Sequence, residues 1–117
     1  MAGLGQVLRS LAARDGVQAA LLLSGDGLPI EHAAGGPFEP ETVAALAATL
    51  AQHAARLGED ARRGELQTAV LDYAGGPVIL ARAGSDDWLA LLARPGSDIG
   101  PLLYDLRQHR PALAGLL

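Results

Sequence analysis

The sequence predicts an α/β (α+β) domain: a three-layer α/β/α sandwich around a five-stranded, mainly antiparallel sheet, in the order α-β-β-α-β-β-β-α. Three observations point there. Ala19, Leu21 and Leu23 alternate with Ala20 and Leu22, and Trp88, Ala90 and Leu92 alternate with Leu89 and Leu91. Strands apolar on both sides need cover on both sides, which helical layers provide. A long Ala-rich stretch after Pro40 has helical periodicity. Near the C-terminus, three apolar runs are separated only by "AGGP" and "GSDD", which are short enough to force an antiparallel meander. The length of 117 residues suits a single domain over 1–117.

Each element has a local cause. Leu4, Val7, Leu8 and Leu11 fall at helical spacing, and Asp15-Gly16 supplies a stop, so a first helix is expected over about 3–14. Val17 to Ser24 is too short and too continuously apolar for an amphipathic helix and reads as a strand buried on both faces. Gly25-Asp26-Gly27 holds one carboxylate, too few for a calcium loop, and the strand-like segment after it does not suit a phosphate cradle. Asp-Gly between two apolar runs is a hairpin signal, because glycine accepts the positive φ of such turns. The second strand, about 28–33, would place Leu28, Ile30 and His32 on one face.

Pro40-Glu41 opens the long helix, since proline is tolerated in a first turn. Val43, Leu46, Leu50 and Leu57 form its apolar stripe, which Ala44, Ala47, Ala48, Ala51, Ala54 and Ala55 widen; Gly64 ends it after Arg62-Arg63. Strands are expected over Glu65–Tyr73, Val78–Ala83 and Trp88–Arg94. Ser97 or Asp98 caps a last helix with Ile99, Leu102, Leu103 and Leu106 inward, which Pro111 should break or end.

Composition excludes several roles. Aromatic residues are only 3% of the chain, so Leu, Ala, Val and Ile must build the core. All nine basic residues are Arg, yet the net charge is −4, which gives no support for nucleic-acid binding. There is no cysteine, hence no disulfide or thiol chemistry. No apolar run approaches the roughly 18 residues of a membrane span, and "MAGLGQVLRSLAARDG" lacks the features of a signal peptide, so a cytoplasmic protein is expected.

No chemical site emerges. His32, His53 and His109 lack ligand spacing, and His32 reads as a partly buried residue or one facing a partner. Ser24, Ser85 and Ser97 sit at turns or caps outside any nucleophile elbow, and Asp86-Asp87 reads as a solvated hairpin tip. No catalytic, cofactor-binding or metal-binding residue is nominated. The surfaces are expected to carry the function.

The hairpin "GVQAALLLSGDGLPIEHA", the long helix, the meander and the final "DIGPLLYDLR" resemble the Roadblock domain family, related to dynein light chains and to MglB, in the same order over essentially the whole chain. The resemblance implies the profilin-like Roadblock fold and a homodimer in which the third strand pairs with its copy while the long helices lie side by side. On that basis Ala44, Ala47, Ala48, Ala51, Ala55, Leu66, Thr68 and Val70 are candidates for the dimer interface, although the alanines could equally pack on their own sheet. The resemblance further implies a non-enzymatic regulator or scaffold of a small Ras-like GTPase, with Arg56, Arg62 and Arg63 as candidate partner contacts. Alternatives are an assembly adaptor for another signalling or motor-like complex, and a small-ligand- or metal-binding module using the glycine-rich turns and His32.

Overall fold

The computed structural model describes residues 3–117. Its elements are α1 (Leu4–Ala12), β1 (Val17–Ser24), β2 (Pro29–Ala34), α2 (Pro40–Asp60), β3 (Thr68–Leu71), β4 (Val78–Arg82), β5 (Asp87–Ala93) and α3 (Ile99–Leu116). The strands form one sheet in the spatial order β2-β1-β5-β4-β3, with every neighbouring pair antiparallel. β2 and β3 are the two edges. The element order and the three layers are those expected.

The alternation along β1 and β5 divides the core in two. Ala20, Leu22, Ile79, Leu89 and Leu91 pack with Leu8 and Leu11 of α1 and Leu102, Leu106 and Leu113 of α3. On the opposite face, Leu21, Leu23, Leu80, Trp88 and Ala90 pack with Ala44, Ala47, Ala48 and Ala51 of α2. Each fully buried leucine contributes roughly 1.5–3 kcal/mol of transfer free energy. Among the described residues, no helix is long and apolar enough to cross a membrane.

The Gly25-Asp26-Gly27 segment is the hairpin turn between β1 and β2. The Leu28 carbonyl accepts from the Ser24 N–H at 2.9 Å, and the Ser24 carbonyl accepts from the Gly27 N–H at 2.9 Å. Ser24 Oγ accepts from the Leu28 N–H at 3.2 Å. Gly27 has φ +88, and a Cβ there would lie 3.2 Å from the Ala45 Cα, so α2 passes directly over the turn.

Several expectations need correction. The inward stripe of α2 is the alanine row, which seats on the sheet, while Leu46, Leu50 and Leu57 point to solvent. The helix ends at Asp60, before Arg62-Arg63, because the chain reverses in a Schellman arrangement: the Arg62 N–H donates to the Glu59 carbonyl (3.0 Å) and the Arg63 N–H to the Gly58 carbonyl (2.8 Å). Arg62 takes the left-handed position, φ 57, that glycine usually fills. β3 covers only Thr68–Leu71, shorter than 65–73; before it the Arg82 and Arg110 side chains bond the Leu66 and Gln67 carbonyls and Glu65, and after it Tyr73 enters a turn closed by the Gly76 N–H.

A further correction concerns α3, which runs through Pro111 to Leu116. An interior proline costs about 3 kcal/mol; here Leu113, which is buried, and Arg110, which is bonded to β4 and the segment before β3, hold the helix on both sides of it. Asp98 supplies the N-cap, accepting from the Gly100 N–H at 3.1 Å. On the edge strand β2 and the residue before it, Leu28, Ile30 and His32 are exposed, so His32 is not partly buried within the protomer.

Gly27→Ala must place a side chain at positive φ, at a cost of about 1–2 kcal/mol, and against α2 as well. Urea unfolding should show a lower midpoint with an unchanged slope; an unchanged midpoint would mean that α2 does not crowd this turn.

Candidate functional site

Small side chains at 44, 47, 48 and 51 recur at i, i+3, i+4 and i+7 and define one face of α2. That face lies on Leu21, Leu23, Leu80 and Trp88, so large apolar residues elsewhere on the helix are turned away from the core. Leu46 is 66% exposed and Leu57 70%. Together with Leu50 they make an outward stripe at i, i+4 and i+11.

Beside this stripe, α2 and the β3 edge enclose a shallow apolar groove of about 210 Å³. Val43, Leu46 and Leu50 line it from the helix, and Leu71, Tyr73 and Val78 from the sheet. Tyr73, just beyond β3, is 57% exposed. The groove therefore adjoins a strand whose outer side has no partner in the sheet. An unpaired edge next to exposed apolar side chains is a surface suited to pairing with another chain.

The candidate interface residues separate into two groups. Ala44, Ala48 and Ala51 are enclosed by the protomer's own sheet, Ala47 nearly so, and Ala55 is half-buried. Their side chains have little or no surface left for a second copy, which is the alternative of packing on their own sheet; the apolar residues that α2 exposes are Leu46, Leu50 and Leu57. Thr68 and Val70 remain on the β3 edge, opposite Ala81 and Ile79. Leu66 packs toward the α2 side of the sheet, because the irregular backbone at 65–67 breaks the strand alternation.

Arg56, Arg62 and Arg63 are exposed, and among the described residues none has an ion-pair partner. Arg56 lies on the flank of α2 away from Val43 and Leu50. Arg62 and Arg63 project from the reversal after the helix. The three arginines thus border the outward stripe without converging on one point.

The histidines stay apart: His32 is on the β2 edge, His53 on the exposed side of α2, and His109 Nδ1 lies 2.9 Å from the Asp105 carbonyl oxygen within α3. Among the described residues, no three His, Cys, Asp or Glu side chains are grouped to hold a metal. A cavity of about 520 Å³ opens where the Ser24–Asp26 and Ser85–Asp87 turns meet α2. Arg82 spans it, stacked 4.6 Å from the centroid of the Trp88 ring and paired with Glu65 at 2.8 Å.

Sequence reasoning placed the leucines of α2 inward and overlooked Tyr73. A signal was present: the alanines alone complete a helical stripe, and Leu46 and Leu57 fall on its far side.

The family model of the Roadblock/LC7 domain matches residues 4–93. Comparison with curated protein sequences gives no significant match. The crystal structure of a Roadblock/LC7 domain from Streptomyces avermitilis is similar over 96% of this chain and 98% of that one, with 27% identity and a TM-score of 0.83. Myxococcus xanthus MglB aligns at 15% identity and TM-score 0.89, covering 96% and 92% of the two chains. The gliding protein MglB of Thermus thermophilus aligns at 22% identity and TM-score 0.86, covering 99% and 93%. These last two likenesses establish the shared fold.

Two substitutions check the placement of α2. Ala48→Leu should overpack the helix–sheet contact and destabilise by about 1–3 kcal/mol in denaturant unfolding; a neutral result would put Ala48 outside the core. Arg62→Gly should stabilise by about 1 kcal/mol, since glycine accepts φ 57 without strain.

Proposed function

This chain is a member of the Roadblock/LC7 domain family, and from that premise we propose that it works as a homodimeric, non-enzymatic regulator or scaffold of a small Ras-like GTPase in the cytoplasm. The observation that carries the dimer is the juxtaposition of the unpaired β3 edge with the apolar groove of Val43, Leu46, Leu50, Leu71, Tyr73 and Val78. An antiparallel strand can pair with its own copy about a twofold axis, each residue meeting its counterpart's neighbours. Pairing of Thr68–Leu71 in that way would extend one sheet across two protomers and bring both grooves to the same seam.

The two α2 helices would then form a continuous outer layer, with Leu57 on it and Arg56, Arg62 and Arg63 at its borders. A platform of this kind regulates by binding one switch conformation of the partner more tightly than another. It needs no acid, base or nucleophile of its own.

Two measurements test the reading. Sedimentation of the wild-type chain at tens of micromolar should give a dimer, and Leu46→Asp with Leu50→Asp should weaken it by about 2 kcal/mol or more, roughly thirtyfold, with little change in monomer folding. A wild-type monomer would overturn the dimer. Affinity capture from the native organism, in the presence of GDP and of a non-hydrolysable GTP analogue, should recover a nucleotide-binding GTPase preferentially in one state. Recovery of none in either state removes the GTPase role and leaves an assembly adaptor.

A further inference from the structure

The β3 edge is held from inside the protomer by arginines, and we infer that Arg110 of α3 positions this edge for self-pairing, so that docking of α3 and dimerisation are coupled. The inference rests on the proposed β3 dimer and adds to it a control element. The family match ends at residue 93, whereas Arg110 lies in the helix that follows.

The contacts are specific. β3 has four residues and a single neighbour in the sheet. Just before it, the Gln67 carbonyl accepts from the Arg82 N–H at 3.0 Å, and Arg82 Nε donates to the Leu66 carbonyl at 3.1 Å. From the opposite layer, Arg110 Nε donates to the Arg82 carbonyl at 3.0 Å. Its Nη1 donates to Gln67 Oε1 at 2.7 Å and its Nη2 to the Gln67 carbonyl at 3.2 Å. One planar fork thus ties β4 to the entry of β3. It does so from the β4 side, through two carbonyls and the exposed Gln67 side chain, and these bonds do not use the backbone groups of Thr68 and Val70.

Such a tie matters most for a short edge strand, which opens locally at little cost. Pairing two such edges requires ordering both, and an edge already ordered by Arg110 loses less freedom on association. The tie is also conditional. Pro111 follows Arg110 directly and removes a helical hydrogen bond from α3. The last turns of α3 therefore depend on Leu113, buried against the sheet, and on Arg110 itself. By linkage, whatever undocks these turns weakens the dimer, and dimerisation strengthens their docking by the same factor. Lysine cannot replace this arrangement, because an ammonium lacks the fork that reaches all three acceptors.

The test combines sedimentation equilibrium with amide hydrogen exchange on the full chain, for wild type, Arg110→Lys, Gln67→Ala and Pro111→Ala. Arg110→Lys should raise the dimer Kd about tenfold and speed exchange at residues 65–71 while leaving β1 and β5 protected. Gln67→Ala, which removes one acceptor from an exposed side chain, should shift both readouts the same way by a smaller factor. Pro111→Ala should leave the Kd unchanged or lower it. An Arg110→Lys Kd within about twofold of wild type, or unchanged exchange at 65–71, overturns the coupling while the dimer stands. Should Arg110→Lys fail to fold, an unaltered Kd for Gln67→Ala overturns it instead. A wild-type chain that stays monomeric overturns the dimer and this inference with it.

Discussion

The rest of the molecule depends on how closely α2 lies on the sheet. Ala44, Ala47, Ala48 and Ala51 bring almost no side-chain bulk between the helix and Leu21, Leu23, Leu80 and Trp88. Gly27 extends the same constraint to the first hairpin, where a Cβ would press on Ala45. Close packing leaves no room on this face for a leucine, since overpacked cores cost more than the added burial returns. The large apolar residues of α2 must then stand elsewhere, and the helix has only its outer side to hold them. The exposed stripe of Leu46, Leu50 and Leu57 is a consequence of the alanine contact, and it makes this layer suited to a partner.

The two faces of the sheet consequently do different work. On the α1/α3 side, leucines meet leucines: Leu8, Leu11, Leu102, Leu106 and Leu113 are buried against β1, β4 and β5. An Arg14–Asp105 ion pair joins the segment after α1 to α3, with the Asp105 carboxylate oxygen buried between them. The helices of this layer contribute leucines to their core. The α2 layer buries mostly methyl groups and keeps apolar area in reserve. Arg110 and Arg82 connect the two, because both reach the segment that leads from α2 into β3.

Most of the architecture was legible in the sequence. Double-faced alternation in β1 and β5 required two helical covers, and Asp26-Gly27 marked the hairpin that the hydrogen bonds around Ser24 now define. The orientation of α2 was harder to read, because Val43, Leu46, Leu50 and Leu57 and the alanines both satisfy a helical period. Hydrophobicity ranks leucine above alanine; the decision came from the volume available over the sheet, a tertiary quantity. The continuation of α3 past Pro111 was hidden for the same reason, as local propensity ends the helix there and Arg110 with Leu113 overrides it. Likewise Arg62 took a position that sequence rules give to Gly64, whose own φ is +84. Of the candidate surface, the β3 edge was anticipated through Thr68 and Val70, while its apolar lining was not.

The sheet has two open edges, β2 and β3, and they differ in how well they suit the proposed self-pairing. β2 is the longer edge, and Leu28 and Ile30 are exposed along it. It also begins with Pro29, which has no N–H to donate, and continues through Glu31 and His32. Glu39 and Glu41, at the start of α2, lie beside that strand with Glu31. In a twofold pairing these carboxylates would approach their own copies, and like charges across a strand pair are destabilising. Thr68, Ala69, Val70 and Leu71 carry no charge, and Leu71 lines the apolar groove. The chemistry of the two edges therefore suits β3 rather than β2 to the proposed self-pairing, with β2 the guarded edge of the sheet.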